Sequence, residues 1–150
     1  MITYRTATAF DIPVLVSLER SIFTYDPWSV GQFKEEIAEV GKSRYYLVAS
    51  DGDEVIGYAG ALFISAGMEA DILTLAVKEG YRKRGIARAM LAELMKWSLN
   101  RGATSMMLEV RKENKEAQSL YEKEGFSKVS ERRNYYGMGI GAVVMRKELV

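Results

Sequence analysis

Four cationic side chains crowd into Arg82-Lys83-Arg84-Gly85-Ile86-Ala87-Arg88, four residues after the apolar run Ile72-Leu73-Thr74-Leu75-Ala76-Val77. A strand that ends in a basic, glycine-bearing turn and passes into a helix can hold phosphate. The first N–H groups of a helix lack intrahelical partners, and the helix dipole concentrates partial positive charge there. Gly85 lets the backbone approach a ligand closely. The same residues also read as a solvated basic turn before an ordinary helix, since short glycine motifs are weakly specific. A second candidate is Glu109, a carboxylate set between apolar neighbours in Met107-Leu108-Glu109-Val110. Charge at such a position is costly unless it faces a cleft; the alternative is a surface carboxylate of an alternating strand. Tyr121 is a third, and it also belongs to an apolar stripe with Ala117 and Leu120 at helical spacing.

These residues need a framework, and the rest of the chain supplies one. Ile2 to Arg5 is expected to be a short strand. Phe10 to Ile22 spaces Val14, Leu15, Leu18 and Ile22 as a helix, with Asp11 and Pro13 near its start. Ser29-x-x-Gln32 is a capping box, which predicts a second helix from Ser29 to about Gly41. Arg44–Ser50 and Glu54–Ile64 flank Asp51-Gly52-Asp53 as an antiparallel hairpin. Ala70–Val77 is a strand, Gly85–Asn100 a long helix, and Ser105–Val110 a further strand. Asn114 is a plausible N-cap for a helix closing at Gly125. The strands Phe126–Arg133 and Ala142–Lys147 follow. The order predicts an α/β (α+β) fold, a mixed sheet with helices packed on it, in one domain over residues 1–150.

Composition narrows the chemistry. The 150 residues are 48% hydrophobic and 27% charged, ordinary values for a globular domain. Net charge is +1, so no global field favours nucleic acid and the basic cluster acts locally. The chain has neither cysteine nor histidine, which removes disulfides, thiolate nucleophiles and a Ser-His-Asp triad. No metal centre is expected. The N-terminus has no basic-then-apolar leader and no apolar run approaches ~18 residues. A soluble, cytoplasmic protein with no membrane partner is the expectation.

Arg-x-x-Gly-x-Ala after a strand ending in Ala76-Val77 resembles the acetyl-CoA pyrophosphate loop of the GNAT acetyltransferase superfamily. Leu108-Glu109-Val110-Arg111, then Asn114, Ala117, Leu120-Tyr121 and Gly125-Phe126, resemble the second half of that domain. Pro27-Trp28-Ser29 with Phe33, and Arg133-Asn134-Tyr135-Tyr136, narrow the resemblance to RimI-like enzymes, which acetylate the N-terminal alanine of a small-subunit ribosomal protein. The resemblance spans about Tyr4 to Met145. It implies a mostly antiparallel sheet whose fourth and fifth strands splay apart to admit the thioester arm of acetyl-CoA.

It also implies roles. Glu109 matches the base, and Tyr121 the tyrosine that protonates the departing thiolate. A phenol of pKa about 10 stays protonated at neutral pH and can give its proton to a thiolate at small cost. Backbone groups of Leu75, Ala76 and Val77 would pair with the pantetheine like an added strand and polarise the thioester carbonyl. Arg82, Lys83, Arg84, Gly85, Ile86, Ala87 and Arg88 would wrap the pyrophosphate, mainly through main-chain N–H groups. Asn114 would touch the CoA arm, although as a bare sequence feature it is only an N-cap. Trp28, Tyr135 and Tyr136 are candidates to line the acceptor groove, or are packing residues. RimI-like enzymes usually carry acids between the two tyrosines and the last strand. Here the stretch is Gly137-Met138-Gly139-Ile140-Gly141, which reads as a mobile lid.

The implied activity is direct acetyl transfer from acetyl-CoA to a protein N-terminal α-amine, with a ribosomal protein as the implied acceptor. A peptide α-amine has a pKa of about 8 and is roughly a tenth neutral at pH 7, so a modest base suffices. Competing readings are a GNAT enzyme for a small amine (a polyamine, amino acid or antibiotic) and a non-catalytic CoA-binding domain. A nucleotide or RNA binder is disfavoured, because no Gly-Lys-Ser/Thr follows the loop.

Overall fold

The computed structural model describes residues 1–23, 27–137 and 139–150, and leaves the side chains of Asn134 and Tyr136 outside that description. Its elements run β1 (Ile2–Thr6), a 3-10 turn (Ala9–Asp11), α1 (Ile12–Ile22), α2 (Val30–Ala38), β2 (Arg44–Asp51), β3 (Glu54–Leu62), β4 (Ala70–Val77), α3 (Ile86–Asn100), β5 (Ser105–Arg111), α4 (Lys115–Lys123), β6 (Ser127–Gly137) and β7 (Ile140–Glu148).

Local signals account for most element ends. Ser29 accepts from the Gln32 amide at 3.2 Å while the Ser29 amide donates to Gln32 Oε1 at 2.8 Å, closing the capping box of α2. Asn114 Oδ1 accepts from the Ala117 amide at 3.1 Å and starts α4. The first helix begins two residues later than its periodicity predicts, because Ala9–Asp11 coil into a tighter turn. Arg5 grips the buried Asp11 with two bonds of 2.8 and 2.7 Å, tying β1 to that turn. These bonds hold the Asp11 carboxyl below its ordinary range.

Seven strands form one mixed sheet in the order β1-β2-β3-β4-β5-β7-β6. Every neighbouring pair is antiparallel except β4 and β5, which are parallel and meet at only two rungs, Ala70↔Met106 and Asp71↔Met107. Beyond Asp71 the two strands part. The β3–β4 register slips between Gly60 and Ala61, leaving Leu73 as the extra residue of a bulge at the start of that parting. β7 inserts between β5 and β6, so the last strand is interior and β6 forms the edge.

The sheet buries both faces. On one side α3 and the Tyr121 end of α4 cover Leu47, Ile56, Ala59, Met106, Leu108 and Met145. On the other, α1 and α2 bury Leu15, Phe33, Tyr46, Val48 and Tyr58. The glycine stretch after Tyr136 does not form a free loop. β6 continues to Gly137 and β7 starts at Ile140, with these two residues paired, so the expected lid is taken up by the hairpin. Met138 itself lies outside the described residues.

Gly60 is a packing test for this fold. A Cβ there would stand 2.2 Å from Tyr46 Cε1, and the Tyr46 ring is fully buried with its hydroxyl donating to Glu36 Oε1 at 2.7 Å. The ring has little freedom to retreat. Gly60→Ala is expected to cost roughly 2 kcal/mol, as overpacking does, and to lower Tm by about 4–8 °C in thermal melts.

Candidate active site

The parting of β4 and β5 opens the middle of the sheet. β3 pairs one side of Leu75, Ala76 and Val77, through Ala59, Tyr58 and Gly57. The opposite backbone edge of those residues has no strand partner among the described residues. Their side chains are core, as expected: Ala76 and Val77 are buried and Leu75 packs against the α3-side cluster. An unpaired strand edge within a sheet is a ready surface for an extended ligand.

At the C-terminal end of β4 the chain turns through the basic loop. Lys83 and Gly85 adopt left-handed φ values of 63° and 81°, and Gly85 is the N-cap of α3. Successive amides in such a conformation form an anion-binding nest. Among the described residues, no backbone N–H from Arg82 through Arg88 donates to a backbone carbonyl. A Cβ on Gly85 would meet nothing within 4 Å, so the space beside the helix start is open. These orphan amides, open space and positive charge fit a pyrophosphate.

The side chains of the loop divide. Arg82 Nε donates to the Val77 carbonyl at 3.0 Å, bracing the turn against the strand end. The Arg84 guanidinium lies 5.0 Å over the Tyr81 ring. Arg88 Nε bonds Glu124 Oε1 at 2.8 Å, clamping the start of α3 to the end of α4. Ile86 is buried in the core and Ala87 packs against it, so both face the anion site through the backbone alone.

On β5, Met106, Leu108 and Val110 point into the core, which turns Met107, Glu109 and Arg111 to the opposite face. The Glu109 side chain is 25% exposed, and its Oε1 pairs with Arg132 Nη1 of β6 at 3.6 Å. Arg132 also lies 4.2 Å over the exposed Tyr135 ring. The pairing of β6 through β7 to β5 thus brings Glu109 to Arg132 and Tyr135, which are neighbours on β6 but distant from Glu109 in the sequence. The Tyr136 side chain lies outside the described residues.

Trp28 sits with the packing residues. Its indole meets Phe33 and Tyr46 edge-on at 5.3 and 6.4 Å, and its main-chain N–H donates to Glu19 Oε2 at 2.9 Å. Tyr121 is buried in the α3-side core with Phe126 edge-on at 5.8 Å. Asn114 commits its side-chain oxygen to the cap of α4.

Two acids escaped sequence reasoning. Glu19 is buried on α1 and accepts from both the Trp28 amide and the Tyr58 hydroxyl, which also meets the Thr74 side chain. Burial and the Glu19 bond push the Tyr58 phenol far up, so it remains a donor. Asp71 pairs with Met107 at the last rung before β4 and β5 part. Burial first, then the like charges of Glu109 and Glu69, push its carboxyl up to about 6. The signal that drew attention to Glu109, a carboxylate inside an apolar strand, is equally present in Ala70-Asp71-Ile72-Leu73. Among the described residues, no group of three or more acid, cysteine or histidine side chains converges to hold a metal ion.

The family model for the acetyltransferase (GNAT) family matches residues 13–126. The chain belongs to the GNAT acetyltransferase family. Its relatives include the N-alpha-acetyltransferase RimI of Mycobacterium tuberculosis, 34% identical over 98% of this chain and 92% of that protein. An uncharacterised Mycobacterium leprae protein is 34% identical over 95% of this chain, which spans only 40% of that protein's length. Among solved structures, the ribosomal-protein-S18-alanine N-acetyltransferase of Escherichia coli superposes with a TM-score of 0.87 at 27% identity, over 99% of this chain and 94% of the other. Arabidopsis thaliana NAA60 in complex with acetyl-CoA gives a TM-score of 0.88 at 26% identity, over 99% and 98%. The fold expected from the GNAT resemblance is the one observed: a single seven-stranded mixed sheet flanked by helices, parted between β4 and β5. Among the described residues of this GNAT protein, no helix is long and apolar enough to cross a membrane.

Proposed function

We propose that this GNAT protein, acting as one domain over residues 1–150, transfers acetyl from acetyl-CoA directly to the N-terminal α-amine of a protein. A ribosomal protein beginning with alanine is the acceptor named for its RimI relatives, and a cytoplasmic setting goes with that acceptor. The observation that carries the reading is the parting of β4 and β5, with Glu109 on β5 just beyond the last rung and turned to the face opposite the α3-side core.

On the donor side, amides of residues 82–88 hold the pyrophosphate, with help from the surrounding charge. The free edge of Leu75–Val77 binds the pantetheine arm, and one of its N–H groups polarises the thioester carbonyl. Asn114 assists at the arm from the start of α4. On the acceptor side, Glu109 takes a proton from the attacking nitrogen as the C–N bond forms. Tyr121 protonates the departing thiolate, its ring packed in the core while its hydroxyl serves the sulfur. Tyr135, with Arg132 across its face, supplies one wall of the peptide groove. Trp28 adds to that groove through the backbone that Glu19 holds in place, and Tyr136 is assigned to it by the family resemblance alone.

The glycine hairpin at 137–141 replaces the acids usual in RimI-like enzymes and makes the acceptor the decisive test. Acetyl transfer would be compared for a peptide with a free alanine terminus, the same peptide with its terminus blocked, and a polyamine. The free terminus is expected to react far faster, because a lysine of pKa about 10.4 is almost wholly charged at pH 7. Transfer to the blocked peptide's lysines, or to the polyamine alone, would overturn the N-terminal assignment.

A further inference from the structure

We propose that Glu19 is a positioning residue of the acceptor side, a buried carboxylate that holds the segment Pro27–Ser29 in register with β3 and β4. The inference rests on the reading of the chain as an α-amine acetyltransferase with Trp28 at its groove, and it adds what keeps that groove in shape.

The backbone of that segment belongs to no helix or strand: α1 ends at Ile22 and α2 begins at Val30. Pro27 has no N–H to give. The Ser29 N–H goes to Gln32 Oε1 at 2.8 Å, inside the capping box. The Trp28 N–H goes to Glu19 Oε2 at 2.9 Å. Side chains thus take both backbone donors of the segment, and the bond to Glu19 is the one that reaches back to α1. Among the described residues, neither the Pro27 nor the Trp28 carbonyl accepts a backbone hydrogen bond. Those carbonyls are what the segment can offer to the N–H groups of an acceptor.

The other Glu19 oxygen is bonded to the sheet. Oε1 accepts from the Tyr58 hydroxyl on β3. With its one proton committed there, the phenol oxygen can only accept from the Thr74 side chain, which it also meets. Thr74 lies on β4 directly after the bulge residue Leu73 and directly before Leu75, where the unpaired edge begins. A chain of hydrogen bonds therefore runs from the acceptor segment, through α1 and β3, to the strand proposed to carry the thioester.

Packing does not ask for this carboxylate. Glu19 follows Leu15 by one helical turn and Val16 by three residues, on the buried stripe of α1. A leucine or methionine there would complete the stripe with no charge to desolvate, whereas a buried carboxylate is costly unless it is bonded. Such a break in pattern is expected where a residue serves a site. What the carboxylate supplies is one acceptor oxygen for each of two donors on different elements. An acceptor then meets a segment already in its bound arrangement, and less order is lost on binding.

The test compares the wild type with Glu19 variants by steady-state kinetics on an alanine-terminated peptide, and by hydrogen exchange at the Trp28 amide. Glu19→Gln keeps an oxygen for the Trp28 N–H, while its NH₂ can donate to Tyr58, whose own proton turns to Thr74. It is expected to keep the wild-type peptide KM and the slow Trp28 exchange. Glu19→Met fills the same space and accepts neither bond. Its Trp28 amide should exchange faster. Its peptide KM should rise roughly tenfold, as the competent arrangement of the segment falls to about a tenth, with kcat and acetyl-CoA affinity little changed. Should the lone methionine variant fold poorly, Glu19→Met combined with Tyr58→Phe removes both buried polar groups together, which a core tolerates better, and the same rise in KM is expected. A peptide KM that stays at the wild-type value in the methionine variants overturns the proposal, whatever happens to kcat, since a merely structural Glu19 would only lower the active fraction. So does a Glu19→Gln variant with the KM of Glu19→Met, because the charge and not the oxygen would then matter. Transfer by the wild type to a polyamine and not to the peptide is a different failure, that of the acceptor assignment; Trp28 exchange and the KM for the polyamine then decide the role of Glu19 by the same split.

Discussion

Glu109→Gln is expected to lower acetyl turnover by about 10²-fold or more, the usual contribution of a positioned base. Glutamine keeps the size and most of the polarity of the side chain but accepts no proton. The loss should fall on kcat, because the proton leaves the nitrogen as the new bond forms. Affinity for acetyl-CoA should stay nearly unchanged, since Glu109 lies on β5 while the loop proposed to hold the pyrophosphate follows β4. The substitution also strips Arg132 of its carboxylate partner, but that guanidinium is half exposed and retains the Tyr135 ring, so little stability is at stake. Turnover rates across pH 6–9 check this. An intact rate would make Glu109 a strand residue with no chemical role. Tyr121→Phe, which keeps the packed ring beside Phe126, should lower turnover as well if the hydroxyl serves the sulfur.

Gly85→Asp is expected to abolish acetyl-CoA binding while leaving the free protein folded. Wild-type protein at a ligand concentration 100 times Kd gains about 2.7 kcal/mol by mass action, a rise in Tm of about 5–10 °C for a chain of this size. The variant should show no rise. Its side chain has room, since nothing lies within 4 Å of the added Cβ, and only the left-handed φ of 81° opposes it. That strain costs roughly 1 kcal/mol, and aspartate tolerates it better than most residues. A carboxylate at an N-cap can even satisfy the free amides of α3. The same carboxylate would then occupy and neutralise the nest meant for phosphate. Thermal melts with and without acetyl-CoA read both halves of the expectation. A wild type that does not respond would remove the loop from the cofactor site.

The features legible in the sequence are those whose physics closes within a few residues. The capping box of Ser29 and Gln32, the Asn114 cap, and the strand, basic turn and helix around Gly85 each depend on atoms three or four positions apart. Those contacts form in much the same way whatever the rest of the chain does, and element ends came within a few residues for that reason. The family motifs are of the same kind, so the GNAT fold, with its basic turn between β4 and α3, could be anticipated.

The resemblance also named the splay, Glu109 and Tyr135, but not what surrounds them, because those surroundings are assembled by strand pairing between distant segments. β4 and β5 meet for two rungs and part next to the bulge at Leu73, while β7 pairs with the other edge of β5. Only that arrangement sets Arg132 against Glu109 and leaves Asp71 among like charges. The packing of Trp28 and the ends of the glycine stretch were set in the same way: the indole packs edge-on against Phe33 and Tyr46, and Gly137 pairs with Ile140. Burial and charge proximity are properties of the folded sheet, and a carboxylate's chemistry follows from them and not from its neighbours in the chain.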